Sequence, residues 1–229
     1  MRRIVPRWAA VAAFGLAGAI AVSGCVSTWH IGSAMLYNNG NDQRVSNSKL
    51  ADEVANLNHW YNKYKHKTQI NYTPADMPRE VLSWMLRFAA EDKLAKQRNI
   101  KVSAAKAQQA RAAEAQSVSQ AGDTLTEAAV LNGLPPDMLP QLGRWIAIQI
   151  ALDRELDNGK PPTSTTGQAA LTAKTNHLLC LAAKSMHIKV NPQYGVYDYG
   201  QLAVVAAPSK LSAPVPAPSP TKIQSTPKC

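Results

Sequence analysis

Few side chains of this chain could do covalent or acid-base chemistry, and they are widely spaced. Its cysteines are Cys25, Cys180 and Cys229, with no Cys-x-x-Cys pair of the kind that holds zinc or shuttles electrons. His177 and Cys180 are spaced as two metal ligands on one helix side could be, but no second pair lies nearby. Leu178, Leu179 and Leu181 around Cys180 favour a packed core thiol beside a surface histidine, with a disulfide to Cys229 as the alternative. His59 and His66 fall among polar neighbours and read as solvated. The acid pairs Asp52-Glu53 and Glu91-Asp92 are adjacent on helical stretches, so each pair points two ways and cannot cooperate as general acid and base. There is no G-x-S-x-G, no H-E-x-x-H and no glycine loop that would cradle a phosphate. The expectation is a protein without catalysis, metal or cofactor.

Cys25 stands apart, because what precedes it dictates its chemistry. Arg2, Arg3 and Arg7 form a basic start without acids, and Trp8 to Val22 is an apolar run of about fifteen residues, short of the roughly 20 that span a bilayer. The run ends in Val22-Ser23-Gly24-Cys25, which matches the bacterial lipobox at all four positions. Cleavage before Cys25 and lipidation of its thiol are expected, by the general secretory route, since Pro6 disrupts a twin-arginine motif. One acyl chain holds a protein to a membrane only reversibly, whereas a diacylglyceryl cysteine anchors it stably. Residues 1–24 thus read as a lipoprotein signal peptide and 25–33 as a lipidated tether at the extracytoplasmic face of the cell membrane.

Loss of residues 1–24 removes three arginines and no acid, taking the formal charge from +10 to about +7. A basic body gains from nearby anionic lipid or wall polymer. The cations are scattered and the chain is exported, so nucleic acid is not an expected partner. About 200 mature residues suffice for one domain with a real core.

For non-covalent binding the suitable residues are Trp60, Tyr61, Tyr64, Trp84, Met85, Phe88, Met138 and Trp145, since methionine and aromatic side chains repack against varied apolar partners. Trp60, Tyr64, Trp84, Met85 and Trp145 are the binding candidates. Trp60 and Trp84 fall off the main stripe of their helices and are expected to be partly exposed.

These residues must be positioned by helices. Ala34 to Val45 reads as a hairpin around Asn38-Asn39-Gly40-Asn41, since Asn-Gly supplies positive φ. Ser46 caps a helix to about Lys65 with Leu50, Val54, Leu57, Tyr61 and Tyr64 on one face. After a loop from Asn71 to Pro78, a second helix runs from about Arg79 to Arg98. Ser103 caps a third, to Gln120, whose alanines offer little area to bury; it is expected to be exposed, mobile or dependent on a partner. A short helix from Thr126 ends at Gly133. Pro135-Pro136-Asp137 opens a long helix to about Leu156 whose apolar stripe is broad enough to be buried on several sides. The loop Asp157 to Gly167 leads to a last helix, about Gln168 to Met186. Ile188 to Val190 and Leu202 to Val205 read as extended segments able to pair with the hairpin. The folded body is placed at 34–206 and a proline-rich, disordered tail at 207–229.

This order, with Arg44-Val45-Ser46 leading into Leu50 and Val54, the short helix Leu125 to Leu134, and Val190-Asn191-Pro192-Gln193-Tyr194-Gly195, resembles the SurA N-terminal domain family of exported chaperones. The resemblance implies a mainly α, multi-helix chaperone domain with a small β element made by the N-terminal hairpin and C-terminal extended segments. In foldases of the SurA and PrsA type a parvulin prolyl isomerase domain sits between the long helix and the final helix. Here that place holds only the loop Asp157 to Gly167, too short for a domain. The implied role is a membrane-anchored chaperone-like lipoprotein that binds unfolded exported proteins without isomerase activity. The alternative is an accessory envelope lipoprotein that binds one specific partner.

Overall fold

The computed structural model describes residues 32–37, 42–66, 70, 72–160 and 162–207. The expected signal peptide and lipidation site at Cys25, the expected turn Asn38-Asn39-Gly40-Asn41, and the expected tail beyond Ala207 with Cys229 lie outside the described residues. The architecture is mainly helical, with small antiparallel sheets: β1 (Ala34–Leu36), β2 (Gln43–Val45), α1 (Asn47–Tyr64), α2 (Met77–Gln97), α3 (Ala104–Gln120), α4 (Leu125–Leu131), α5 (Leu139–Leu156), α6 (Thr165–Ser185), β3 (Ile188–Val190), β4 (Val196–Asp198) and β5 (Ala203–Val205). No helix among the described residues is long and apolar enough to cross a membrane.

The helix starts follow local hydrogen bonding. Ser46 Oγ accepts from Lys49 N at 3.2 Å, Ser103 Oγ from Lys106 N at 3.3 Å and Thr124 Oγ1 from Glu127 N at 3.1 Å, each satisfying a donor that the first turn leaves free. The α2 start is different. Asp76 turns its carboxylate back to Thr73 N and Oγ1, at 3.1 and 2.7 Å, and Pro78 sits in the first turn. Proline tolerates that position because its missing N–H would be unpaired there anyway. The helix therefore begins two residues before the expected Arg79. Pro136–Met138 likewise forms a 3-10 turn that leads into α5.

The centre of the fold is α2, which packs against α1, α5, α6 and β5. Val81, Leu82, Leu86, Ala90 and Leu94 on it are buried, together with Leu50 and Leu57 of α1, Leu152 of α5 and Leu179 of α6. Tyr72 fastens the preceding loop, its hydroxyl donating to Val130 O of α4 at 2.5 Å.

The alanine-rich α3 does have a partner, and it lies within the chain. It packs along α5 around Gly143, where an added Cβ would lie 2.5 Å from Ala107 O and 2.8 Å from Arg111 Cβ. Small side chains on both helices let the backbones approach, so close contact replaces the large apolar stripe that α3 lacks. Only Ala110 of α3 is buried, so the expected exposure holds for most of its surface.

The strands combine differently from the expected single element. β1 lies between β2 and β3, antiparallel to both, with Ala34 opposite Val45 and Val190. The last extended segment, β5, pairs instead with β4 in a separate two-stranded ribbon. Gly195 enters that ribbon at φ 126°, and an L side chain there would collide with the Val205 carbonyl. The ribbon is held to α2 by Val204 N donating to Ser83 Oγ at 2.8 Å. Cys180, buried on α6, is disulfide-bonded. This corrects the expectation of a packed free thiol: apolar neighbours bury a cystine as readily as a cysteine.

Candidate functional site

The five binding candidates do not line one groove. At the end of α1, Trp60 and Tyr64 stack with ring centroids 5.9 Å apart and planes 11° apart, and Lys63 Nζ lies 4.7 Å from the Trp60 centroid. Tyr64 is only 7% exposed and is a core residue, whereas Trp60 is half-buried against that core. Trp84 of α2 and Trp145 of α5 meet edge to face at 6.4 Å, both half-buried. The Trp84 indole N–H donates to Asn132 O at 2.9 Å. Partial exposure of Trp60 and Trp84 agrees with their places off the main stripes. Met85, 8% exposed, faces a third location.

That location is a cleft of about 280 Å3 between α2 and the β1–β2 hairpin, close to the lower end of small-ligand pockets, about 300 Å3. Leu36, Val45, Met85, Phe88, Met138 and Met186 supply its apolar lining. Around these stand Arg44, Lys49, Lys93 and Lys96, with Asp92 the sole acid among the lining residues. Asp92 Oδ1 is engaged by Arg144 Nε at 2.8 Å. The cleft thus joins thioether and aromatic surface to an excess of positive charge, beside a strand, β2, with one strand neighbour in its sheet. Sequence reasoning named Met85, Phe88 and Met138 for binding but not Arg44, Lys49 or Met186 with them, which meet α2 only when the hairpin, α1 and α6 dock on it.

A different face of α2 carries Arg87 and Glu91, one turn apart. The Arg87 guanidinium carbon lies 5.6 Å from the Trp84 ring and 5.2 Å from the Trp145 ring, a cation held between two indoles. Glu91 is 1% exposed, and its Oε1 accepts from Gln149 Nε2 of α5. Burial, only partly offset by Gln149 and Arg87, pushes its carboxyl up to about 7. The Trp145 N–H also favours ionised Glu91, although that N–H makes no hydrogen bond of ordinary geometry. Burial pushes Arg87 below its usual range and Tyr197 of β4 above its own. Arg87 Nε, Glu91 Oε2, Trp145 Nε1 and the Tyr197 hydroxyl are all buried without hydrogen-bond partners among the described residues.

Glu91 and Asp92 do point two ways, Asp92 into the cleft and Glu91 toward Gln149 and Trp145 of α5. The burial of Glu91 was missed. Its signal is the i, i+3, i+7 spacing of Trp84, Arg87 and Glu91, which puts an acid and a base on the stripe of an indole. Among the described residues no group of three or more His, Cys, Asp or Glu could hold a metal ion. No family model, no curated protein and no solved structure matches the chain.

Proposed function

We propose that this chain is a lipid-anchored, extracytoplasmic holder of extended polypeptide segments, chaperone-like and non-catalytic, on a body of SurA N-terminal type. The observation that carries the reading is the methionine-lined cleft between α2 and the hairpin. Met85, Met138 and Met186 offer flexible, polarisable surface that adapts to different side chains. The loop 157–164 that joins α5 to α6 leaves no room for an inserted isomerase domain, which fits holding without catalysis. The lipobox at Val22-Ser23-Gly24-Cys25 supports an anchor that keeps the body near the membrane surface, where newly exported chains emerge.

The test is aggregation of several unrelated unfolded proteins in the presence of the full chain in neutral detergent. A stoichiometric amount is expected to delay aggregation of most of them. Failure with all of them, together with retrieval of a single envelope protein after crosslinking in cells, establishes the second reading, an accessory lipoprotein with one partner. One observation favours that second reading. Among the described residues the exposed large hydrophobic ones are Ile150, Leu181 and Val196, on three different elements, whereas promiscuous binding surfaces are usually broad and contiguous. The anchor has its own check: labelled palmitate is expected in the intact protein and absent after Cys25→Ser.

A further inference from the structure

We infer that the cleft between α2 and the β1–β2 hairpin selects polypeptide segments in which an acidic side chain lies close to an apolar one. This deepens the holder reading and rests on it. An apolar lining alone would accept any greasy segment, but Arg44, Lys49, Lys93 and Lys96 share this cleft with Asp92 as its sole acid. Asp92 adds little negative potential, because Arg144 neutralises it at 2.8 Å. A cleft lined by one sign of charge beside low-dielectric walls concentrates the opposite sign. Aspartate or glutamate on the occupant meets that field, and Lys49 and Lys96, both exposed at the cleft, are the cations within its reach. The cleft mouth is open, and Gln43 and Arg44 of β2 are exposed beside it. An occupant therefore has apolar, ionic and main-chain groups within one residue or two of one another, which suits an extended peptide better than a free anion.

The probes are two fluorescent ten-residue peptides of Val, Met and Ser, identical except that one carries two Glu where the other carries two Gln. Binding to the full chain in neutral detergent is followed by anisotropy at low and high salt. The Glu peptide is expected to bind about tenfold more tightly at low salt, with the gap closing at high salt as screening shortens the range of the rim charges. Lys49→Glu combined with Lys96→Glu is expected to abolish the preference, while Lys174→Glu, exposed on α6 and outside the cleft, leaves it in place. Equal binding of both peptides overturns acid selection and leaves the holder reading standing. Binding of neither overturns both. An equal effect of Lys174→Glu removes the cleft as its source. Attachment of phosphatidylglycerol vesicles through Lys49 and Lys96 without any preference between the peptides replaces the polypeptide with a lipid surface and also overturns the inference.

Discussion

Two faces of α2 carry charge, and they use it in opposite ways. On one, Lys96 stands exposed at an open cleft where water and salt reach it, and its energetic contribution to folding is small. On the other, Arg87 and Glu91 are enclosed between the indoles of Trp84 and Trp145 and the ring of Tyr197, where each charge is costly without the other. Phe88 sits between the two faces, packed on Trp84 at 5.7 Å and lining the cleft. The lesson is that exposure, not residue type, separates the charges available for recognition from those that bear on stability.

The sharpest way to break this contrast is Arg87→Met. It keeps the bulk between the indoles but leaves Glu91 buried without its cation. The Arg87 charge favours ionised Glu91, so its loss is expected to destabilise the fold at pH 8, where Glu91 is ionised. At pH 5 Glu91 is protonated and the cost shrinks. Urea unfolding at both values checks it; an equal loss at pH 5 and pH 8 would mean that Arg87 acts by packing alone.

Glu91→Gln gives the next effect. The folded value of about 7 lies above the ordinary 4.5, so between those values the folded chain keeps a proton that the unfolded chain has released. The stability this group contributes is complete below 4.5 and lost as pH rises through about 7. The swing is on the order of 3 kcal/mol. Glu53 and Glu80, raised by burial as well, titrate in both proteins, so the difference between wild type and variant isolates Glu91. That difference is expected to grow across pH 4.5 to 7 and then level off; a flat difference refutes the assignment.

Trp60→Leu tests an aromatic cluster without a buried ion. Its stack on Tyr64 is worth about 1 kcal/mol beyond area burial, and thermal unfolding at pH 8 should register that loss. An unchanged midpoint would mean that the stack adds nothing to stability.

Much of the scaffold was legible because its causes are local. Ser46 and Ser103 cap helices within one turn of themselves, and Leu50, Leu57 and Tyr64 recur at helical spacing. What could not be read depends on distant segments meeting. Val196–Asp198 is three residues long and becomes a strand only by pairing with β5. The α3 helix carries no stripe that names its partner, because Gly143 on another helix makes the fit. Glu91 looks like a surface acid until α5 covers it and Gln149 reaches it. Met85, Phe88 and Met138 were found from residue type alone, but Arg44, Lys49 and Met186, which complete the cleft, arrive from β2, α1 and the end of α6.

The smallest effect on folding and the most informative for recognition belongs to Lys49→Ala with Lys96→Ala. Both residues are exposed, and surface substitutions away from caps and buried networks usually change stability by less than about 0.5 kcal/mol. The urea midpoint is therefore expected to match wild type. Binding should behave otherwise: the Glu peptide is expected to weaken several-fold at low salt, and its remaining affinity should vary less with ionic strength, because fewer screened charges contribute. If the midpoint falls along with the affinity, these lysines belong to the fold, as Arg87 does, and the division between the two faces of α2 fails.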